Sequence, residues 1–368
     1  MRVLLLSAYD AASHRAWREG LVAALPAHHW RVLALPPRHF AWRSRGSALS
    51  WALGEQTTLE TPLDLLVSTA MTDLSALRGL APALCRVPTL VYFHENQFAY
   101  PPGPTQRQSP AFIQSLNLYT ALAGDRLVFN SAHNRDSFLE GVAGFLRRMP
   151  DAVPPGVVER LRGRAGVLPV PLDDTCFAPP RGPDLGAPPL ILWNHRWEYD
   201  KAPERCFAAL ATLAAEGVGF RLAVLGQSFR RVPAVFGEIR EKLAARIVAW
   251  GHQSRADYLG WLRRADVVVS SALHDFQGLA VLEAVAAGAI PVVPARLAYP
   301  EFLPADCCYP GYPDDPDREA AALAARLRMV LADLPGWRAR CPDLGWLGWN
   351  RLAPAYRTLL AEVVGRES

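Results

Sequence analysis

Residues 267–301, VVVSSALHDFQGLAVLEAVAAGAIPVVPARLAYPE, restrict the fold more than any other stretch. The β-branched run Val267-Val268-Val269 ends in small polar residues. A loop carrying Asp275 and Gly278 follows, then an alanine-rich helical segment with Glu283, a stop at Gly288 and a short apolar strand at 290–293. Strand, loop, helix and strand in that order make the repeating unit of a parallel sheet. A helix starting near Leu279 aims unpaired N–H groups and the positive end of its dipole at whatever lies above Gly278. Phosphate suits such an end, and Asp275 and Glu283, eight residues apart, would flank it. The same pattern is also satisfied by a βαβ unit with two incidental carboxylates, and the stretch alone leaves both readings open.

The other apolar runs repeat the theme. Strands are expected at 2–7, 30–35, 64–68, 88–93, 126–129 and 166–169, then at 190–193, 221–225 and 247–250. Open α/β sheets bind ligands at the carboxyl ends of their strands, so the residues there are the site candidates. After the first strand come Ser13, expected to cap a helix from about residue 15, and His14. After 88–93 come His94, Glu95, Asn96 and Gln97, and after 126–129 come Asn130, Ser131 and His133; these ends suggest one cleft. Residues 39–51 mix Phe40, Trp42 and Trp51 with Arg43 and Arg45, next to Arg38, and read as an irregular segment able to stack on and grip nucleic acid, or as an ordinary packed loop. A proline-rich excursion at 100–104 precedes a helix near 111–122, and the Pro/Asp/Gly-rich segment 171–189 marks a domain boundary. In the second half, strand 190–193 delivers Asn194, Arg196 and Lys201, and strand 221–225 delivers Gly226. Arg196 and Lys201, five residues apart, are expected to converge on one diphosphate. The chain closes with an amphipathic helix within 337–364, carrying Trp346, Trp349 and Tyr356.

At 368 residues and 51% hydrophobic, the chain has material for two buried α/β domains: 1–170, 171–345, and a closing helix 346–368 expected to pack back toward the first. Six cysteines show neither zinc spacing nor a disulfide pattern, so no metal is expected. The sequence starts directly on a strand-like run without a signal-peptide pattern, and no 18 apolar residues run together, which points to a cytoplasmic protein without a membrane span. Residues 1–170 hold 17 arginines against 12 acidic residues, whereas residues 171–368 hold 22 basic against 23 acidic. Arginine outnumbers lysine 37 to 2, which a GC-rich codon bias would also produce. The concentration of positive charge in the first half suits a polyanion.

Read as chemistry, two cations at one strand end and a glycine-led helix start at another neutralise a diphosphate, which is then a good leaving group. Asp275-Phe276-Gln277-Gly278-Leu279-Ala280-Val281-Leu282-Glu283-Ala284, with Gly288 and Pro291-Val292-Val293, resembles the Glu-x7-Glu donor motif of family 4 retaining glycosyltransferases of GT-B fold, with Asp in place of the first Glu. Arg196 and Lys201 match that family's Arg-x4-Lys pair. Tyr92-Phe93-His94-Glu95-Asn96-Gln97-Phe98-Ala99-Tyr100-Pro101, Phe129-Asn130-Ser131 and Asn194-His195-Arg196-Trp197-Glu198 resemble the tRNA-queuosine alpha-mannosyltransferase family over most of residues 1–310. The resemblance implies two doubly wound Rossmann-like domains facing a cleft, and mannose transfer, with retention, from GDP-mannose to queuosine in a tRNA anticodon. It implies His94 and Asp275 near the sugar, Glu283 on the ribose, and Ser13, His14, Asn194, Gly226, Gly278 and Leu279 on the donor side. Glu95, Asn96, Gln97, Asn130, Ser131, Arg38, Arg43 and Arg45 are the acceptor-side candidates. Where family members often have Gly-Gly before Ser-His, this chain has Ala11-Ala12, and alanine disfavours positive φ. Two other readings remain open: a glycosyltransferase with a different donor or a non-tRNA acceptor, and an inactive nucleotide-sugar or RNA-binding protein.

Overall fold

A computed structural model describes residues 1–101, 111–177, 186–228 and 232–365. Pro102, Gly103 and Pro104 of the proline-rich excursion, and 178–185 of the boundary segment, lie outside the described residues. The chain divides into two compact units, Met1–Pro171 with Trp349–Ser368, and Leu172–Gly348.

The first unit is built on β1 (Arg2–Ser7), β2 (His29–Ala34), β3 (Leu65–Thr69), β4 (Thr89–Phe93), β5 (Arg126–Phe129) and β6 (Ala165–Val167). Their order is β2-β1-β3-β4-β5-β6, with every pairing parallel. β3 and β4 are buried at every residue, because helices cover both faces of a parallel sheet and only continuous apolar runs tolerate that. Phe93, Phe129 and Phe138 pack ring on ring in this core, at centroid distances of 4.4, 5.0 and 5.4 Å.

The second unit repeats the scheme with β7 (Leu190–Trp193), β8 (Arg221–Leu225), β9 (Ile247–Gly251), β10 (Val267–Val269), β11 (Ile290–Pro294) and β12 (Cys308–Tyr309). The order is β12-β11-β10-β7-β8-β9, again parallel throughout. Chain direction across the sheet reverses between β7 and β10, and between β1 and β3 in the first unit. Such switch points open a crevice at the carboxyl ends of the strands. Behind the second sheet Glu319, fully buried, accepts from Arg296 at 2.6 and 2.7 Å and from Arg205 at 3.0 Å. Burial opposes this charge, but Arg296 outweighs it and holds the carboxyl below its ordinary range. The cluster ties helix Pro316–Ala332 to the loop after β11.

Four local expectations are corrected. Residues 40–54 form an α-helix, Phe40–Gly54, instead of an irregular segment; it contains no proline, and its Gly46 gives room to the Trp42 ring, 2.4 Å from where a Cβ would stand. The first helix starts at Ala12 and has no side-chain cap, so Ser13 lies exposed inside it. Ala11 has φ −61° and Ala12 is helical, so neither alanine meets a positive φ. The closing segment is broken: a short helix Leu334–Arg338, a 3-10 turn Gly345–Leu347 bearing Trp346, then helix Trp349–Gly365. Pro342, Gly345 and Gly348 interrupt what the sequence suggested was one helix. Trp349 and Tyr356 belong to the last piece, which lies in the first unit.

Candidate active site

In the second unit, the ends of β7 and β10 bring the expected donor residues together at the switch point. Lys201 closes a 3-10 turn (Tyr199–Lys201) after β7 and is 5% exposed. Its ammonium contacts Asp275 Oδ1 at 3.0 Å, Asp200 Oδ2 at 3.2 Å and the His274 carbonyl at 2.5 Å. Those contacts commit its three N–H donors. Ala202 follows at φ 43°, a left-handed conformation costly for alanine. Ser271 Oγ donates to the Lys201 or the Ala202 carbonyl, at 3.1 and 2.9 Å, which helps hold the strained turn.

Asp275 is gripped at both oxygens, by Lys201 at Oδ1 and by the Tyr299 hydroxyl at Oδ2, 2.7 Å away. Tyr299 in turn lies 2.8 Å from Ser270 Oγ. Burial opposes ionisation of Asp275, but Lys201 and His195 overcome it and hold its pKa at about 2. Lys201 shows the mirror effect: burial disfavours its charge, and Asp275 and Asp200 raise its pKa. Gly278, at φ 78°, starts helix Leu279–Ala286, and a Cβ there would stand 2.6 Å from the Tyr299 ring. The first bond in that helix runs from Leu282 N–H to the Gly278 carbonyl, leaving the earlier N–H groups at its start.

Arg196 differs from its expected twin. Its side chain is 46% exposed and pairs with Glu198 at 2.7 Å, reaching Asp200 Oδ2 at 3.8 Å. The two cations do meet, on one oxygen of Asp200, but Arg196 is accessible and Lys201 is not. Glu283 is held by Tyr258 (3.0 Å) and Arg255 (3.1 Å), both on helix Arg255–Arg264. Burial raises the Glu283 pKa against the pull of Arg255. Asn194 donates to Tyr258 at 3.0 Å and to the Ala280 carbonyl at 2.7 Å. Asn194 Oδ1 and His195 Nε2 remain buried without partners, a demand that a polar ligand would meet. Burial first, then Lys201, lowers the His195 pKa to about 4. Gly226, at φ 147°, passes so close to the His195 carbonyl that a Cβ would overlap it at 1.8 Å.

In the first unit, His94 follows β4 and is 8% exposed. It stacks on His14 at 4.2 Å and meets the edge of Trp17 at 4.8 Å. His14 Nδ1 lies 3.0 Å from the Tyr9 carbonyl. Behind them the Tyr356 hydroxyl accepts from Trp17 Nε1 at 3.0 Å and sits 3.1 Å from that of Tyr92. Burial, and secondarily His14, push the His94 pKa well below its ordinary value, so the ring is neutral, and its Nε2 is buried without a partner.

The acceptor-side candidates separate by role. Asn96 is fully buried: its amide reaches Asn134 Oδ1 (2.9 Å) and Ser137 (3.0 Å), while its oxygen accepts from Phe98 and Ala99 N–H. Asn130 bonds the His94 carbonyl (2.9 Å) and Asn134, and Ser131 caps helix Ala132–Arg147. These three carry the loop that presents His94. Gln97 is anchored through its N–H to Asn117 at 2.8 Å. Glu95 is half-buried and makes no hydrogen bond or ion pair among the described residues. Arg38 and Arg45 are exposed and Arg43 is half-buried. The sequence did not single out Asp200, Arg255, Tyr258, Tyr299 or Trp17; each lies near a strand's carboxyl end or on the next helix, but types this common carry no signal until the sheet places them. Among the described residues no group of three His, Cys, Asp or Glu is placed to hold a metal.

Comparison with known proteins agrees with this architecture. Sucrose-phosphate synthase from Thermosynechococcus elongatus superposes with a TM-score of 0.72 at 16% identity, covering 98% of this chain and 100% of that one. Anabaena HepE, solved with UDP, gives 0.68 at 13% identity with full coverage of both chains. At such identities the likeness fixes the fold, which is GT-B. Residues 188–333 match the group 1 glycosyl transferases and residues 2–172 the tRNA-queuosine alpha-mannosyltransferase N-terminal family. The tRNA-queuosine alpha-mannosyltransferase of Drosophila melanogaster is 32% identical over 315 residues, 83% of each chain. The chain is a glycosyltransferase and belongs to the tRNA-queuosine alpha-mannosyltransferase family.

Proposed function

We propose that the protein transfers an α-mannosyl group to queuosine in tRNA, that its donor is GDP-mannose, and that it acts in the cytoplasm. The observation that carries the acceptor is the match of residues 2–172 to the family's N-terminal region, together with the 32% identity to a named mannosyltransferase. No described helix is long and apolar enough to cross a membrane.

The chemistry follows from charge. In the transfer, the bond from the anomeric carbon to the diphosphate oxygen breaks, a queuosine hydroxyl bonds to that carbon on the same face, and its proton passes to the departing diphosphate. Arg196 is reachable by the phosphates, while Lys201 acts as a fixed buried charge behind them, and the start of helix Leu279–Ala286 adds its dipole. Asp275 is a poor base, with its pKa held at about 2 and both oxygens gripped. Its part is to orient Lys201 and the sugar. Glu283, clamped by Tyr258 and Arg255, presents a fixed acceptor to ribose hydroxyls. Neutral His94 can donate one hydrogen bond to a ligand without a change of charge.

Donor identity is tested by offering GDP-mannose, GDP-glucose, UDP-glucose and UDP-mannose with queuosine-containing tRNA. Transfer from GDP-mannose alone supports the proposal. Equal or better transfer from a UDP-sugar would overturn the donor assignment while leaving the acceptor standing.

A further inference from the structure

A cavity of about 580 Å³ opens in the first unit, lined by Arg45, Asp73, Phe112, Ser115, Tyr119 and Met149, among others. None of its lining residues belongs to the His94 stack or to the asparagine network. Its volume falls in the usual range for small-ligand sites, roughly 300–1,000 Å³.

One wall is helix Ala111–Leu122, which has no charged residue. Phe112, Ser115, Leu116 and Tyr119 lie on one stripe of it, at spacings of three, four and seven. Phe112 is 45% exposed and Tyr119 58%, an unusual exposure for two rings on one face. Arg45 comes from the neighbouring helix, its guanidinium 5.4 Å from the Phe112 ring centroid. Asp73 holds it there at 3.2 Å and also caps helix Leu74–Leu80, so this carboxylate has structural work and its charge is already met. The far wall, with Met149, is the end of helix Ala132–Arg147, where Arg147 and Arg148 are exposed. Two exposed rings, with the Arg45 guanidinium 5.4 Å from one of them, form the chemistry that binds an unpaired nucleotide: rings to stack on the base and a cation beside it. The surplus of five positive charges in residues 1–170 points the same way.

We propose that this cavity holds an unpaired nucleotide of the tRNA other than the queuosine being modified. The inference rests on the tRNA acceptor proposed above, and it makes the cavity a second RNA contact that selects a folded anticodon arm over a free nucleoside.

The test measures, in parallel, binding of labelled queuosine-containing tRNA by fluorescence anisotropy and mannosyl transfer, for the wild type and the variants Phe112→Ala, Tyr119→Ala and Phe112→Trp. Each alanine variant should weaken tRNA binding by about ten-fold with little change in the salt slope, since a stack is lost and no phosphate contact is. KM for GDP-mannose should stay within two-fold, and Phe112→Trp should bind like the wild type. Alanine variants that bind within two-fold of the wild type, or a tryptophan variant as weak as alanine, would overturn the proposal. A change of sedimentation coefficient with unaltered tRNA binding would assign the face to a second copy and also overturn it. Wild-type binding lost in the alanine variants but without mannosyl transfer would sink the proposed reaction and leave the cavity an RNA site; a wild type that binds no tRNA would sink both.

Discussion

Removing the Lys201 ammonium leaves Asp275 without its cation and Asp200 with only the more distant Arg196, 3.8 Å away. Lys201→Met keeps most of the side-chain volume and takes away the charge. Breaking one half of a buried ion pair costs about 3–5 kcal/mol. Part of that can be worked out from Asp275 alone, whose carboxyl is lowered from 3.8 to about 2, equivalent to about 2 kcal/mol at neutral pH. A depressed carboxylate pKa stabilises the fold above its unfolded value, so this contribution is complete above pH 3.8 and fades as the pH falls toward 2. Lys201→Met should therefore lower stability by about 3–5 kcal/mol at pH 7. Adding Asp275→Asn should return about 2 kcal/mol, as the repulsion it relieves is that of the orphaned charge. Urea denaturation followed by tryptophan fluorescence, run on the wild type, both single variants and the double variant, closes the cycle. Strictly additive losses would refute the claim that Asp275 and Lys201 act as one unit.

Three shorter expectations follow from the same geometry. Arg196→Ala, at a side chain 46% exposed, should leave the urea midpoint unchanged while turnover falls by about 100-fold; wild-type turnover would remove Arg196 from the diphosphate. Gly278→Ala should cost about 2–4 kcal/mol, combining a left-handed φ with a clash on the Tyr299 ring, and should raise KM for the donor; thermal melts and donor titration check both. Because burial and His14 hold His94 well below its ordinary pKa, the turnover profile between pH 6 and 8 should show no inflection that disappears in His94→Asn.

Much of the fold was legible because a parallel strand buried on both faces must be a continuous apolar run, and such runs stand out: β1, β5, β7 and β8 fall where the sequence put them. β12 escaped notice since it is two residues long and exists only through pairing with β11. The helix Phe40–Gly54 escaped for another reason. Its tryptophans and arginines alternate without a clean apolar stripe, and its small residues, including Ser44, Gly46 and Ser47, are buried by packing that only the tertiary structure supplies. At the donor side the charged residues were readable from strand-end position, but their states were not. Arg196 and Lys201 look equivalent in sequence, and only the loop after β10, which brings the His274 carbonyl and Asp275, makes one buried and saturated. The asparagines of the His94 loop read as ligand-binding candidates because polar residues at strand ends usually are; what the sequence did not show is that the side chains of Asn96 and Asn130 bond the loop's own backbone.

Incubation of the protein with GDP-mannose and queuosine-containing tRNA, followed by digestion of the tRNA to nucleosides and mass measurement of the queuosine, reads the transfer itself. Queuosine should gain the mass of one hexose, a gain absent without the protein and sensitive to an α-mannosidase. Unchanged queuosine mass, with GDP-mannose consumed or not, would contradict the proposed transfer.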